Sequence, residues 1–509
     1  MSSEANVEFG ADVPTNAAAV VSTTDGAVRS VGRQMAQGAF WMLGLRASER
    51  GLGLVSTIVL ARLLSPSDFG LVTMATSIVA ATELLSSFGF DLALIHRVDA
   101  DRRHFDTAWT LNGLTAACSA ALLLALASPA AVFYREPRLR GVVEVLAAAL
   151  LVEGFQNIGL VAFRKRLDFR RDFAFLFGKR LIMFAVTVPL AILLRNYWAL
   201  VIGILAGRTS ATVLSYVVQS YRPRLSLAAA RELLGFSRWL LLNNLIWVLR
   251  FRSTDFVIGR LVGSQALGLY STAYEISNLP TSELVAPLNR AIFPGYAKLA
   301  SNTADLRREF LSVVSVIATC AFPISAGMVV TAALLVPVLL GHAWIETVPL
   351  IHLLVVYGLL VALQANTSSV YLALGRPNIL TFVFGWNTVA LVLFLVWLVP
   401  QQGVVGAARA VVGVASLAMP LNYFLVLRLL ELSTWRLCAV LWRPAVAAAA
   451  MAVLLRFMID HWSVQANVLG LAEAVAAGAV VYGALLVTLW LCSGRPAGPE
   501  QLAIWVLRR

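Results

Sequence analysis

Charged side chains are scarce in this sequence of 509 residues: Asp, Glu, Lys and Arg together make up 13%, against 59% hydrophobic residues. Soluble globular chains average about 25% charged residues, so the composition excludes an ordinary water-soluble protein. Apolar runs of about 18 residues or more recur along the chain, and each can cross a hydrocarbon core of about 30 Å. No segment alternates apolar and polar residues like the strands of a membrane barrel, which excludes that class. The sequence therefore predicts an all-α polytopic membrane protein.

Cysteines are few, and none forms a CxxC pair. Cys118, Cys320, Cys438 and Cys492 each stand alone in or beside an apolar run, which excludes a disulfide framework or a cysteine metal site and leaves packing as their expected role. The sequence also lacks H-E-x-x-H and G-x-S-x-G motifs, and the GLGL of residues 51–54 is not followed by GK[ST]. We therefore expect a transporter and not an enzyme, with no cofactor, no metal and no catalytic residue.

The apolar runs predict about 14 transmembrane helices. We place them at residues 38–62, 67–90, 106–128, 140–162, 173–194, 197–219, 237–261, 266–294, 308–337, 348–373, 377–399, 403–427, 437–458 and 467–492. This predicts a disordered cytoplasmic tail (1–34), an N-terminal lobe (35–220), a C-terminal lobe (221–430), two additional helices (431–492) and a basic cytoplasmic tail (493–509).

The net charge of +13 is distributed as an orientation signal. Basic residues concentrate in alternate loops, which makes those loops and both termini cytoplasmic and argues against a nucleic-acid partner. The densest basic cluster is FRKRLDFRRDF at residues 163–173. It is either a topology anchor on anionic membrane lipids or a cytoplasmic landing surface for an anionic lipid-linked substrate.

The sequence contains an internal repeat of one segment that connects two predicted helices. LARLLSPSDFGLVTMA begins at Leu60 and IGRLVGSQALGLYSTA begins at Ile258, so that Arg62 and Gly70 correspond to Arg260 and Gly268 at an offset of 198 residues. The copies are separated by six predicted helices, an even number, so both halves enter the membrane in the same direction. The repeat predicts two pseudo-symmetric six-helix lobes that enclose a cavity and work by alternating access.

The first helix of each predicted lobe carries charges inside its apolar stretch: Arg46, Glu49 and Arg50 in one, and Arg250, Arg252 and Asp255 in the other. Arg46 and Glu49 are three residues apart, as are Arg252 and Asp255, so each acid can neutralise one Arg. The remaining guanidinium groups, nominally those of Arg50 and Arg250, predict a cationic cavity for a phosphate-bearing substrate. Arg46, Arg50, Arg250 and Arg252 are the predicted substrate-binding residues, and the alternative is that all these charges form structural ion pairs.

Other polar groups lie within the predicted helices. Glu49, Glu83, Asp255, Glu275 and Glu283 are candidates for ion coupling or for cavity-lining positions, because a carboxylate in a membrane is costly unless it has a function or a partner. Glu153, Arg208, Gln364, Asn366 and Asn387 form a second set. For each of them a helix–helix hydrogen bond or ion pair is the alternative.

Several segments between Gln34 and Arg436, including SSFGFDLALIHR, RLDFRRDFAF, LLGFSRWLLLNNL and FPGYAKL, resemble the Wzx-like polysaccharide flippases of the multidrug/oligosaccharidyl-lipid/polysaccharide exporter superfamily. The sequence is similar in particular to transporters of the WzxC and ExoT kind. The resemblance implies a MATE/MurJ-like fold in the bacterial inner membrane, with a cationic cavity between the first, second, seventh and eighth helices. The implied cargo is a polyprenyl-diphosphate-linked oligosaccharide for exopolysaccharide or lipopolysaccharide synthesis, with a polysaccharide polymerase and export proteins as partners.

Three other classes stay open. A cation-coupled multidrug exporter of the same fold would favour an acidic cavity. A membrane glycan polymerase or ligase generally needs a long outward loop, whereas the longest one here spans about a dozen residues near Pro129–Arg140. A structural scaffold would have no use for a repeated pair of charged helices. The sequence does not identify the sugars that are carried or the ion that drives transport.

Overall fold

The computed structural model describes residues 44, 48, 51–83, 89–97, 99–165, 168–278, 286–461 and 465–494. Helices joined by short turns make up this part of the chain, and no strand occurs within it. The helices are α1 (Gly51–Leu63), α2 (Pro66–Glu83), α3 (Phe90–His96), α4 (Arg102–Tyr134), α5 (Leu139–Gly154), α6 (Val161–Lys165), α7 (Phe169–Leu194), α8 (Trp198–Val218), α9 (Ala230–Leu261), α10 (Ser264–Ser277), α11 (Ala286–Leu299), α12 (Thr303–Leu339), α13 (Val348–Gln364), α14 (Thr367–Ala373), α15 (Pro377–Leu429), α16 (Thr434–His461) and α17 (Val468–Cys492).

Eight helical segments in the described residues are long and apolar enough to cross a membrane, and a ninth arises if α5 and α6, bent by 60°, count as one span. The 53-residue α15 contains two predicted spans, because Gly403 interrupts it with φ 57° and ψ −139°. Residues 67–83 of the predicted span 67–90 belong to α2, and residues 84–88 lie outside the described part of the chain. Of the predicted span 266–294, residues 266–277 belong to α10 and residues 286–294 to α11, while residues 279–285 lie outside the described part. The all-helical membrane protein is confirmed, while the full set of 14 spans stays a prediction.

The two copies of the repeated connector lie against each other. A Cβ atom added at Gly70 would lie 1.7 Å from the carbonyl oxygen of Ser264, and one at Gly268 would lie 1.8 Å from that of Pro66. Only glycine allows backbones to approach so closely. One turn further on, Thr73 Oγ1 lies 3.5 Å from Ser271 Oγ, its counterpart at the same offset of 198. Equivalent residues therefore meet each other, as they would on a pseudo-two-fold axis between the copies.

The arginines of the connector make reciprocal contacts across this axis. Arg62 donates hydrogen bonds to the carbonyl oxygens of Val338 and Leu339 at the end of α12. Its counterpart Arg260 lies over the ring of Phe133, at the end of α4, with 5.3 Å from its guanidinium carbon to the ring centroid. A guanidinium is favourable at a helix C-terminus, where carbonyl groups lack partners. Each half thus contacts the C-terminal end of a helix of the other half: Arg62 contacts α12, and Arg260 contacts α4.

A polar cluster lies at the same end of the bundle, which the charge distribution predicts to face outward. Arg138 binds Glu136 at 2.8 Å and donates to Ser67 Oγ at 3.1 Å. Ser264 Oγ donates to Glu136 at 3.2 Å. We call these four residues the outer latch. It links the loop after α4 to the first turns of both α2 and α10.

The connection between the halves is fixed to α4. Tyr221 OH donates to Asp106 Oδ1 at 2.6 Å, and the backbone N–H of Ala229 donates to Thr107 Oγ1 at 3.2 Å. The first turn of α9 continues this attachment, because Leu233 is buried in a core cluster with residues of α3 and α4 and Glu232 binds Arg97 at 2.5 Å. The start of α9 therefore packs with the first half.

The expected packing of the cysteines is wrong. The side chains of Cys118, Cys320, Cys438 and Cys492 are all exposed at the protein surface. Within a membrane, a small apolar side chain gains little by moving from lipid into the protein, because lipid tails are equally apolar. Isolation in the sequence therefore did not place these thiols inside the bundle.

Candidate functional site

A cavity of about 260 Å³ lies between the two halves, beside the crossing of α2 and α10. We call it the central cavity. It is lined by Thr73 and Thr76 of α2, Arg250, Phe251, Arg252, Thr254 and Asp255 of α9, Tyr270, Ser271 and Tyr274 of α10, Tyr357 of α13 and Val411 of α15. Two of the predicted substrate-binding arginines and the predicted acid Asp255 are thus brought to one space between the halves.

Arg252 and Asp255 form the predicted pair. Arg252 donates to Asp255 Oδ2 at 3.1 Å, within one turn of α9. Ser77 of α2 donates to the same carboxylate oxygen at 2.9 Å, and Asp255 is nearly buried. A buried carboxylate is tolerated when a counter-charge and hydrogen bonds satisfy it. The acid therefore neutralises one arginine and also connects α9 with α2, a contact that sequence spacing could not indicate.

Arg250 is the other arginine of the central cavity, and it has no counter-charge among the described residues. In the described part of the chain no carboxylate lies within salt-bridge distance of it, and its nearest aromatic contact is the ring of Phe251, 5.7 Å from the guanidinium carbon. Since Arg252 and Asp255 offset each other, the described lining of the central cavity carries one net positive charge. A guanidinium in such a space can bind phosphate oxygens bidentately.

Hydroxyl groups make up much of the remaining wall, together with the apolar side chains of Phe251 and Val411. Tyr274 stacks between Tyr270 and Tyr357, with ring centroids 6.1 Å and 5.9 Å apart. Thr73 and Ser271 close the side next to the helix crossing. Groups of three or more metal-ligating side chains do not occur among the described residues. The arrangement suits recognition of an anion with hydrogen-bond acceptors.

The other predicted site residues have different positions. Arg46, Glu49, Arg50 and Glu283 lie outside the described residues, so their positions are not tested. Glu275 is exposed on α10 and does not line the central cavity.

Glu83 belongs to an ion-pair network inside the first half. Arg208 lies 2.7 Å from Glu83 and 2.8 Å from Glu153, and Lys179 lies 3.8 Å from Glu153. These groups adjoin a separate cavity of about 450 Å³, which is lined by both acids and by Asp91, Arg164 and Asp172. The alternative of helix–helix ion pairing is therefore met for Glu83. Glu83, Glu153 and Arg208 are predicted only as separate polar groups. Glu83 and Arg208 are 125 positions apart, so no local pattern in the sequence indicates their contact.

Residues 59–349, more than half of the chain, match the family model described as polysaccharide biosynthesis protein. The chain belongs to this family. Proteins similar to it include the lipopolysaccharide biosynthesis protein WzxC of Escherichia coli (strain K12), 28% identical over 420 residues that cover 80% of this chain and 84% of the relative. The teichuronic acid biosynthesis protein TuaB of Bacillus subtilis (strain 168) is 26% identical, covering 90% and 96%.

The fold of this family member is similar to that of the lipid II flippase MurJ in an inward closed conformation. The TM-score is 0.73 at 9% identity, and the match covers 90% of this chain and 100% of that one. At so low an identity the likeness concerns the fold alone. The predicted resemblance to the Wzx-like family is therefore confirmed by the family match and by the similarity to WzxC, and the MurJ-like fold is confirmed by the structural comparison.

Proposed function

We propose that the protein is a flippase that moves polyprenyl-diphosphate-linked oligosaccharide repeat units across the bacterial inner membrane for exopolysaccharide or lipopolysaccharide synthesis. The observation that carries the proposal is the position of Arg250 in the central cavity, with no counter-charge among the described residues. A diphosphate brings charge that hydrocarbon does not solvate. A guanidinium and a ring of hydroxyl groups replace the water that this headgroup loses.

The proposed architecture has 14 spans in two six-helix lobes with two additional helices, and both termini in the cytoplasm. The close contact between the two connector copies at Gly70 and Gly268 supports the pseudo-symmetry. The basic residues of alternate loops support the orientation. Arg46, Arg50, Arg250 and Arg252 are proposed to bind the diphosphate, with the prenyl chain in lipid, before rocking of the lobes exposes the cavity outward.

We propose that the acids that bind a coupling ion or line the cavity belong to one set: Glu49, Glu83, Asp255, Glu275 and Glu283. Of these, Asp255 lines the central cavity, while Glu83 lies in the ion-pair network of the first half. A polysaccharide polymerase and export proteins are the proposed partners after transport.

A cation-coupled multidrug exporter is the main alternative. A cationic drug needs an acid that is free to neutralise it, yet the acid in the described lining of the central cavity is already paired with Arg252. The positive surplus therefore favours the anionic lipid-linked glycan over a cationic drug.

The test measures polymer export in a bacterial strain whose own flippase of this family is deleted. We expect Arg250→Ala to lower export about tenfold or more at equal protein level, since a hydrogen bond to a charged group contributes about 1.5–3 kcal/mol. Arg50→Ala is expected to act in the same direction. Arg250→Lys keeps the charge without the bidentate fork and should give an intermediate value.

Arg456→Ala is the matched control. Arg456 lies on α16 and forms an exposed pair with Asp460 at 2.8 Å, far along the chain from the central cavity. Export should stay at the wild-type level in this variant. Unimpaired export in both Arg250→Ala and Arg50→Ala would remove the cationic-site proposal.

A further inference from the structure

A third cavity, of about 260 Å³, lies in the second half and is lined by residues of α9, α13, α14 and both segments of α15. We call it the amide cavity. It shares Arg250, Phe251 and Tyr357 with the central cavity. The two spaces therefore meet at the arginine proposed to hold the diphosphate.

Apart from Arg250, the polar side chains that line the amide cavity carry no charge. Asn422 Nδ2 donates to Gln364 Oε1 at 2.8 Å, and Tyr371 OH donates to the carbonyl oxygen of Asn422 at 3.1 Å. Gln364 is also held from behind, because its Nε2 donates to the carbonyl oxygen of Leu360 at 3.0 Å. Asn422 is 5% exposed. These bonds give the cavity a fixed floor of amide and phenol groups.

Asn387, on the opposite wall, is not satisfied in this way. Its Oδ1 is buried and has no hydrogen-bond partner in the part of the chain that the structure describes. An unpaired buried acceptor is costly, most of all within a membrane, and calls for a ligand or water that completes it. Asn387 lines the cavity together with Ser368, so both can bind a guest.

In the first half the contact between the fourth and sixth predicted spans is charged. There Glu153, near the end of α5, binds Arg208 of α8 at 2.8 Å. In the second half Gln364, at the end of α13, binds Asn422 of α15 at the same distance. These helices are thus joined by an ion pair in one half and by an amide pair in the other. Interrupted helices at corresponding places in two repeats mark binding sites in transporters. Apart from Arg250, the polar side chains in the described lining of the amide cavity are uncharged hydrogen-bonding groups.

The guest that fits is a neutral ring with hydroxyl groups. Side-chain amides both donate and accept, as hydroxyl groups require. Phe251 and Phe384 add aromatic surface for the C–H faces of a sugar. The volume is below the range of about 300–1,000 Å³ typical of drug-sized ligands, which suits one ring and not a whole oligosaccharide.

We propose that the amide cavity binds the sugar ring next to the diphosphate of the transported lipid and selects for it by hydrogen bonds from Asn387, Gln364 and Ser368. This rests on the proposed function, because Arg250 must hold the diphosphate for the first sugar to reach the cavity. It assigns sugar selection to the second half.

The experiment measures Kd by microscale thermophoresis on the purified full chain. The probes are polyprenyl diphosphate and the same lipid carrying one glucose, one galactose or one N-acetylglucosamine. We expect at least one sugar-bearing lipid to bind about five- to tenfold more tightly than the bare lipid, the gain of one or two hydrogen bonds. Asn387→Leu should remove that gain and leave the bare lipid unchanged. Ser368→Ala should remove part of it, which keeps the test valid if Asn387→Leu does not fold.

Thr388→Val is the matched control, because Thr388 neighbours Asn387 but does not line the cavity. It should keep the gain, whereas Arg250→Gln should weaken every lipid alike. A gain that survives both Asn387→Leu and Ser368→Ala would overturn the proposal, as would tighter binding of the bare lipid to Asn387→Leu, which would place the prenyl chain in the cavity. Equal binding of all four lipids to the wild type overturns the sugar site alone. Absence of binding to any of them overturns the proposed function as well.

Discussion

Asp255 sets the charge of the central cavity through contacts with both halves. It accepts from Arg252 on its own helix and from Ser77 on α2. The pair with Arg252 could be predicted from their spacing of three residues on a helix. The bond to Ser77 could not, because the two residues are 178 positions apart and serine is common in apolar helices. Local pairing is written in the sequence, whereas contacts between helices depend on how the faces pack.

The prediction at this scale concerns stability. Asp255→Asn removes the counter-charge of Arg252, whose side chain is only 33% exposed. Loss of one partner from a largely buried pair is strongly destabilising, and allowing for solvent around Arg252 we expect about 1–3 kcal/mol. Thermal unfolding of the purified protein in detergent measures the change.

The matched control is Asp460→Asn, which breaks the exposed pair with Arg456 on α16. Surface pairs contribute about 0–1 kcal/mol, so its unfolding temperature should stay close to that of the wild type. Equal shifts in the two variants would mean that the environment of Asp255 adds nothing.

Among the helices, the crossing of α2 and α10 has the strictest geometry. The sequence predicted that the two connectors are equivalent, from the shared spacing of Arg62 to Gly70 and Arg260 to Gly268. It did not predict that the glycines lie against each other, because a repeat specifies equivalence and not contact. The end of α10 at Ser277 was also missed, since hydropathy averaged over an apolar run does not locate a helix end.

Gly70→Ala tests this crossing. The added methyl group would meet backbone atoms of Ser264 and Gly268, which cannot rotate away, so α2 and α10 must separate. Overpacking of this kind costs about 1–3 kcal/mol. A Thr73→Cys/Ser271→Cys pair, introduced after replacement of the four native cysteines by serine, should crosslink efficiently in the Gly70 protein and poorly with Gly70→Ala.

Gly483→Ala on α17 serves as the control, because an added Cβ there meets no atom within 4 Å. It should leave both crosslinking and stability unchanged or raise stability slightly, as alanine favours a helix over glycine. Undiminished crosslinking with Gly70→Ala would show that the helices do not need this close approach.

For the whole molecule, the outer latch holds the halves together at one end. The hydrogen bond from Arg138 and its positive charge keep the pKa of Glu136 below the usual 4.5. A carboxyl group with a lowered pKa stabilises the folded contact above its usual pKa, and that contribution is lost as the pH falls through the lowered value. The latch should therefore be unaffected between pH 8 and about 5 and weaken below about 4.5.

The distance between spin labels at Val132→Cys and Ile345→Cys, near the outer ends of the two halves, measures this opening in a background without the native cysteines. Glu136→Gln should populate the longer distances at pH 7. The exposed acid Glu144, which pairs with Arg140 at 2.9 Å, provides the control Glu144→Gln, and no change is expected there. A distance distribution of Glu136→Gln identical to the wild type would assign the closure to the glycine crossing alone.

The attachment of the interlobe segment to α4 has a mechanical consequence. Residues 221–229 and the first turn of α9 move with the first half, whereas Arg250 and Asp255, further along the same helix, line the space between the halves. The segment is therefore a stiff connection between the halves and not a flexible linker. A rotation between the halves must therefore bend α9. The stiffness of this one helix then limits how far the central cavity can open.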